Sequence, residues 1–346
     1  MKYILFTDIH FGNKSNSDEF NQQCLDFLDF IIDKTKDMDI DGAIFLGDWY
    51  HIRPVTNNKT LKYGTEGLYK FGQLARGNGF LILGNHDLYY RDRRDVTSIV
   101  IPEGDIGVEV IYEPLTVDNM LFCPWMIKDE NLPDLIEEYK PEYVFCHPEI
   151  PTFSFNKVTK YDGEYNPADY SGPKRICCGH FHMRQEKNNI TYIGNCFSHD
   201  FSDSNDWHNK GFAILNTETN EIEYYEWENA PKYCSTFVSK INEIEFGSNM
   251  ILKLMNDTAL TQVDLNKFDD ELRKIPQIKD VLIYPAEMSV ENVNVETNVE
   301  AIDNINTLVE DLISNMDMEN VSNNKLIEIY RELETKWLTI WKYNKI

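Results

Sequence analysis

Basic residues are scarce in this 346-residue chain: 33 Lys and Arg stand against 58 Asp and Glu, a formal net charge of −25 and a pI near 4.6. That balance argues against a nucleic-acid binder of the basic-patch kind, because neutralising phosphates normally takes lysine and arginine. It leaves room for an enzyme whose positive charge arrives with bound metal ions. No apolar run approaches the ~20 residues of a membrane span, so no membrane partner is expected. None of the seven cysteines sits in a Cys-x-x-Cys pair, and no signal-like apolar stretch follows the start MKYILFTDIH. Cys146, Cys177, Cys178 and Cys196 lie in or beside apolar runs, where a free thiol packs as a small hydrophobe. A reduced, cytoplasmic protein is expected. Internal repeats and low-complexity tracts are also lacking.

What is present is apolar material in an alternating order. With 42% hydrophobic and 13% aromatic residues the chain can bury a sizeable core, and its length favours about two domains. KYILFTDIH reads as a buried strand, and residues 18–36 place Phe20, Cys24, Leu28, Ile31 and Ile32 at helical spacing. GAIFLGD (42–48) is a second strand, residues 58–77 a helix and FLILGNHD a third strand. YVFCH, RICCGHFH and ITYIGN follow, then a hairpin in GFAILNTETNEIEYYEW with its turn at Thr219–Asn220. The expectation is an α/β fold, a layered domain over 1–230 with helices covering sheet faces. Residues 231–286 read as a small α+β unit built from NMILKLMND, VDLNKFDDELRKI and KDVLIYPA. The stretch 287–300 has no aromatic and no basic residue and reads as an acidic, solvated linker. Two helical stretches complete the chain over 301–346.

The chemistry is concentrated where the apolar strands stop. The first ends in Asp8-Ile9-His10, and the second in Gly47-Asp48 with His51 shortly after. The third ends in Gly84-Asn85-His86-Asp87, then come His147 and Gly179-His180-Phe181-His182. One Asp or His at a strand end is most simply a turn residue. Five successive strand ends of this kind are a ligand pattern, because ligands of open α/β sheets bind outside the carboxyl ends of the strands. Asp8/His10 and His180/His182 are each two apart, so an extended backbone would put each pair on one face. Imidazole, carboxylate and carboxamide without thiolate suit Mn²⁺, Fe²⁺ or Zn²⁺. Three or four ligands per ion with one shared carboxylate, for which Asp48 is the natural candidate, would build a two-metal site for phosphoryl displacement.

Asp-x-His, Gly-Asp, Gly-Asn-His-Asp and Gly-His-x-His in this order resemble the calcineurin-like metallophosphoesterases. GDWYHIRPV, LGNHDLYYRD, CPWM and CCGHFH…YIGN…KGFAIL narrow the resemblance to SbcD-type nuclease subunits, in particular their phage recombination-endonuclease form. The resemblance covers residues 1–230 and implies a β-sandwich flanked by helices, with residues 231–286 as a capping domain. It implies one ion on Asp8, His10, Asp48 and His182 and a second on Asp48, Asn85, His147 and His180. Mn²⁺ is the expected metal, with Mg²⁺, Fe²⁺ and Zn²⁺ as alternatives. His86 would face the leaving group, Asp87 would orient His86 or pair with Arg91, and His51 would position nucleic acid or sit as a satisfied surface histidine. His199 and His208 match nothing and read as loop histidines.

Cations follow the ligand motifs: Lys14, Arg53, Arg91, Arg93, Arg94, Arg184 and Lys187, a candidate positive rim. In the long segment 151–173, Phe153, Phe155, Tyr161 and Tyr165 are candidates for packing or for stacking on bases. Leu326, Tyr330, Leu333, Trp337 and Ile340 form an apolar helical stripe. The family resemblance makes that stripe the contact for an SbcC-type SMC-like ATPase, and implies a homodimer, for which 59–76 and 91–101 are the suggested contact. The leading expectation is a metal-dependent DNA nuclease, a 3′→5′ exonuclease on duplex ends with single-strand endonuclease activity. A phosphoesterase acting on a phosphoprotein or small phosphodiester, and a DNA-end scaffold that does not cleave, are the alternatives.

Overall fold

In the computed structural model the described residues are 1–284, apart from 54, 102–105, 128–129, 156–159, 164–165 and 205. The expected linker, the tail helices with their stripe, and Tyr165 lie outside them.

Strands β1 (Lys2–Phe6), β2 (Gly42–Phe45), β3 (Gly79–Ile82) and β4 (Val108–Ile111) run parallel and side by side in the order 1-2-3-4. Helix α1 (Asp18–Thr35) joins β1 to β2, and α2 (Asn58–Ala75) joins β2 to β3. Each begins on a side-chain cap: Ser17 accepts the Phe20 N–H and Asn57 the Lys59 N–H, satisfying donors that a helix start leaves open. A second sheet follows with β5 (Leu115–Val117), β6 (Met120–Cys123), β7 (Tyr143–Cys146), β8 (Arg175–Cys178), β9 (Gln185–Lys187) and β10 (Ile190–Tyr192), ordered 5-6-7-8-10-9. Helix α3 (Leu132–Tyr139) covers its outer side. The chain then returns to the first sheet as the hairpin β11 (Gly211–Asn216) and β12 (Glu221–Glu226), with β11 antiparallel to β1. The hairpin turn was expected at Thr219–Asn220, and Asn220 takes the left-handed φ of 59° there.

Three apolar layers hold this together, and strand alternation decides which residue enters which. Tyr3, Leu5, Ile44, Phe80 and Ile82 point between the sheets, onto Phe122, Tyr143, Phe145 and Cys177. Their neighbours Ile4, Phe6, Ala43, Phe45 and Leu81 point the other way, onto Phe27, Leu28 and Ile31 of α1 and Leu68, Phe71 and Leu74 of α2. Val144, Cys146, Ile176 and Cys178 face outward under Ile136 of α3. The result is the layered α/β sandwich that the alternation predicts. All seven cysteines are buried and free.

A third sheet, β13 (Lys232–Phe237), β14 (Met250–Met255) and β15 (Ile278–Tyr284), is wholly parallel. Helix α4 (Gln262–Leu272) crosses from β14 to β15 behind a capping box of Thr261 and Asp264. Leu252, Leu254, Leu265, Leu272 and Val281 form its own apolar cluster. Among the described residues no helix is long and apolar enough to cross a membrane.

Candidate metal centre

Regular pairing of β1 with β2 stops at Phe6 and Phe45, but the two chains stay zipped beyond it. Asp8 N–H donates to Gly47 O at 2.9 Å, His10 N–H to Asp48 O at 3.1 Å and Phe11 N–H to Trp49 O at 2.8 Å. The backbone kinks as it leaves the strands: Asp8, His10, Asp48 and His180 have φ of 53°, 54°, 65° and 84°. Four left-handed non-glycine residues in one place are a concentration of strain, and strain of this kind gathers at functional sites. Asp8/His10 and His180/His182 do not share a pleat face as their two-residue spacing suggests. These residues lie past the strand ends, so a left-handed turn, not alternation, sets their direction. Asp8 and His10 still meet, with His10 Nε2 at 3.7 Å from Asp8 Oδ1. His180 and His182 part: His180 turns to Asn85 and His182 to Asp8.

Glycine at Gly47 and Gly84 lets the loops close on one another. Gly47 has φ of 107°, and a Cβ there would lie 2.3 Å from His147 Nδ1; one on Gly84 would lie 2.1 Å from Asp48 Oδ1.

Asp8 and Asp48 each have one oxygen anchored and one turned to imidazoles, and Asp48 lines a cleft of about 380 Å³. Asp8 Oδ2 accepts the Thr7 hydroxyl at 2.6 Å and the His180 N–H at 3.0 Å, while buried Oδ1 has no hydrogen-bond partner. Asp48 Oδ1 accepts the His86 N–H at 2.8 Å, while Oδ2 lies 3.6 Å from His10 Nε2 and 3.4 Å from His147 Nε2. His182 Nε2 stands 3.7 Å from Asp8 Oδ1. One donor set is therefore Asp8, His10, Asp48 and His182.

The second set is more telling. His147 Nδ1 lies 2.6 Å from Leu46 O; a carbonyl only accepts, so Nδ1 carries the hydrogen and neutral His147 offers a lone pair at Nε2. That lone pair faces Asn85 Oδ1 at 3.2 Å and Asp48 Oδ2 at 3.4 Å. His180 Nε2 meets Glu149 Oε1 at 3.0 Å, which leaves Nδ1 as the lone-pair nitrogen, 3.1 Å from the same Asn85 oxygen. Lone pairs of four groups converge on one point, an arrangement that repels itself unless a cation sits among them. In the ion-free chain a proton does this work. Burial lowers the His147 pKa, but the Asp48 carboxylate overrides it and lifts it to about 9. Asp48 is held well below the usual carboxylate range against burial, first by His147 and then by His10. Asp8 is likewise lowered against burial by His10, His147 and His182. The residues present thus fit two divalent ions that share Asp48, with nitrogen and oxygen donors of the kind such ions take.

The sequence reading of Asp87 needs correcting. Asp87 is fully buried and neither orients His86 nor reaches Arg91. Its Oδ2 accepts the N–H groups of Asp48 and Gly84, both at 2.9 Å, and its Oδ1 those of Trp49 at 2.9 Å and Tyr50 at 3.1 Å. Four inward-facing amides capture the carboxylate, which pins the second loop to the third. Burial and then Asp48 raise its pKa, while the amides of Gly84 and Tyr50 pull against them. His86 is oriented instead by its neighbour loop: Nδ1 lies 2.6 Å from His51 O, leaving Nε2 available in the cleft. Burial lowers the His86 pKa, with Asp48 opposing. His51 stacks on His86 at 5.5 Å between ring centroids, and burial, with His10 and His86 adding to it, lowers its pKa to about 4. Neither histidine is a simple surface residue.

Two residues escaped the sequence reading. Glu149, two positions after His147, backs His180 and has its own pKa lowered first by that hydrogen bond. His199, read as a loop histidine, is only 3% exposed and lines the cleft beside His10 and His182. Glu149 lies past the ligand that ends β7 and His199 in a loop well beyond β10, so the pattern of terminal ligands marked neither. The rim of cations also shrinks. Arg94 is buried between Glu113 and Glu130, Arg93 pairs with Asp95, and Arg184 pairs with Glu226. Arg53 stays near Asp48 and Arg91, and its pKa is lowered by burial and then by Arg91. Of the loop aromatics, Phe153 is buried, whereas Phe155 lines the cleft and is 40% exposed.

The sequence is 29% identical over 289 residues to exonuclease subunit 1 of Enterobacteria phage T4, covering 80% of this chain and 82% of the relative. A nuclease structure from Pseudomonas putida, termed MPE, matches 55% of this chain and 66% of its own at 17% identity, with a TM-score of 0.27. The model of the calcineurin-like phosphoesterases matches residues 1–184, more than half of the chain and every strand end that supplies the two donor sets. With that match and those donors in place, the chain belongs to the calcineurin-like phosphoesterase family, whose members hydrolyse phosphoesters with divalent metal ions.

Proposed function

We propose that this protein is a DNA nuclease subunit of the SbcC/SbcD type, hydrolysing phosphodiesters as a 3′→5′ exonuclease on duplex ends and a single-strand endonuclease. The observation that carries the reading is Asp48 Oδ2, which faces both His10 and His147 and so hinges the two donor sets together. The phage relative, an exonuclease subunit, supports nucleic acid as the substrate.

Asp8, His10, Asp48 and His182 would hold one ion and Asp48, Asn85, His147 and His180 the other, with Mn²⁺ favoured by the mixed oxygen and nitrogen donors. When bound, the ions supply positive charge to the scissile phosphate and acidify water beside it. The chain contributes geometry and proton handling. His86, its Nδ1–H committed to the His51 carbonyl, presents Nε2 to the departing oxygen; in its imidazolium form it would donate the Nε2 proton there and return to the neutral ring. Arg53 places positive charge near Asp48, with Arg91 close to it. Phe155 offers a face on which a base can stack. The tail stripe Leu326–Ile340 is the proposed contact for the ATPase partner. A second copy would bind through 59–76 and 91–101, where Tyr69, Val96 and Val100 are exposed.

The test is cleavage of an end-labelled DNA duplex with Mn²⁺, Mg²⁺ or EDTA, by wild type, Asp48→Ala and His86→Ala. A metal-dependent ladder lost in both variants is expected. Intact DNA alongside hydrolysis of a generic phosphodiester would overturn the substrate and keep the phosphoesterase.

A further inference from the structure

We propose that His199 is an additional imidazole ligand of the ion held by Asp8, His10, Asp48 and His182, an inference that rests on the metal centre proposed above.

His199 Nε2 is enclosed, in a residue only 3% exposed, and has no hydrogen-bond partner. Buried polar atoms of this kind are uncommon and call for a reason. Its ring stands 5.3 Å from that of His10 and 5.0 Å from that of His182, and one ligand nitrogen from each of the three lies within 4.8 Å of the others. Asp8 Oδ1 is another buried polar atom without a hydrogen-bond partner, and it faces both His10 and His182 at 3.7 Å. His10 belongs both to the His182–His199 cluster and to the Asp8–Asp48 cluster, so a cation bound among these groups would give both orphaned atoms a partner.

The segment carrying His199 is tied to the same cluster. The His199 backbone N–H donates to Asp203 Oδ2 at 2.8 Å, and the other oxygen of Asp203 faces His182 Nδ1 at 3.7 Å. One carboxylate therefore anchors the His199 backbone and backs the His182 ring, the position from which a carboxylate fixes a histidine's orientation at a metal. Asp203 is itself tied by Lys210, 3.6 Å from Oδ1, and by Asn195 at 3.1 Å from Oδ2. A purely structural His199 would be explained by packing, and it does touch Phe20 and Phe197, each at 5.4 Å between centroids. Packing accounts for the ring's carbon atoms and leaves its buried Nε2 without a partner.

The experiment counts imidazoles. The full chain, labelled with ¹⁵N in its eight histidines and stripped with EDTA, is titrated with Zn²⁺, and the assigned ring-nitrogen resonances are followed. The inference requires five histidines to acquire a metal-bonded nitrogen: His10, His147, His180, His182 and His199. Four, with His199 unchanged, would overturn it and leave the metal centre standing. Fewer than four would overturn the centre together with the inference. Calorimetry on His199→Gln adds an independent reading: about tenfold or more loss of affinity for one of two ions, the other unaffected. His208→Gln, outside the cleft, should titrate as wild type. Equal affinities in His199→Gln and wild type would count against ligation.

Discussion

Asp48 shows how one side chain is committed on both sides. Its Oδ1 is occupied by the His86 N–H at 2.8 Å, so only Oδ2 remains for the cleft, and there it meets imidazoles from two directions. Asp48→Asn keeps the shape but halves the lone pairs and removes the charge. It should lower phosphodiester cleavage by roughly 10²–10³-fold, the loss of several kcal/mol of charge stabilisation, measured as kcat under saturating Mn²⁺. His86→Gln should lower kcat by about 10²-fold or more while Mn²⁺ affinity holds within a factor of a few, because His86 belongs to neither proposed donor set. Equal losses of affinity and rate would instead make it a ligand. Glu149→Gln, behind His180, should weaken the affinity for one ion by roughly 10–100-fold, read by calorimetry; unchanged binding would reduce Glu149 to a surface acid.

The elements matter through their ends. Strand pairing aligns β1, β2 and β3 in register, so Asp8, Asp48 and Asn85 emerge together although up to 77 positions separate them. What holds the emerging loops is Asp87, whose four accepted N–H bonds tie 48–50 to Gly84. Asp87→Ala should therefore destabilise the protein by about 3–5 kcal/mol, since buried donors left without an acceptor cost about 1–3 kcal/mol each. Urea unfolding of the ion-free chain measures this; a change below 1 kcal/mol would show that the loops stand without it. Five strand ends were legible from their apolar runs and terminal ligands. β4, β5, β6, β9 and β13 were not, because no ligand residue marks their ends and strands such as Gln185–Lys187 have no apolar run. Nor was the role of Asp87, since nothing local to Gly-Asn-His-Asp reveals amides from a loop almost forty positions earlier.

At the scale of the whole molecule, a net charge of −25 is compatible with binding a polyanion only if the cleft is charged differently from the rest. The structure leaves few cations for that purpose, because Arg93, Arg94 and Arg184 are already paired with acids. Metal ions then carry more of the positive field than the arginine-rich motif suggests, and loading them should stabilise the fold. At a hundredfold excess over Kd each ion adds about 2.7 kcal/mol. Two should raise the thermal midpoint by roughly 10 °C or more, by scanning calorimetry with Mn²⁺ against EDTA. A midpoint indifferent to EDTA would mean that the cleft does not hold ions at these donors.

The sequence by itself determined the layered α/β plan, the helices α1 and α2, and seven of the side chains that converge on the cleft. Apolar periodicity and residue type are local properties, and a linear chain displays them openly. Only the tertiary structure decided the direction of those side chains, because left-handed turns at Asp8, His10, Asp48 and His180 replace the pleat that spacing assumes. It also decided the partners: Asp87 to backbone amides, His86 to the His51 carbonyl, Glu149 behind His180, and His199 beside His10. Such pairings join residues from separate loops, and a hydrogen bond is a matter of position in space, on which distance along the chain has no bearing.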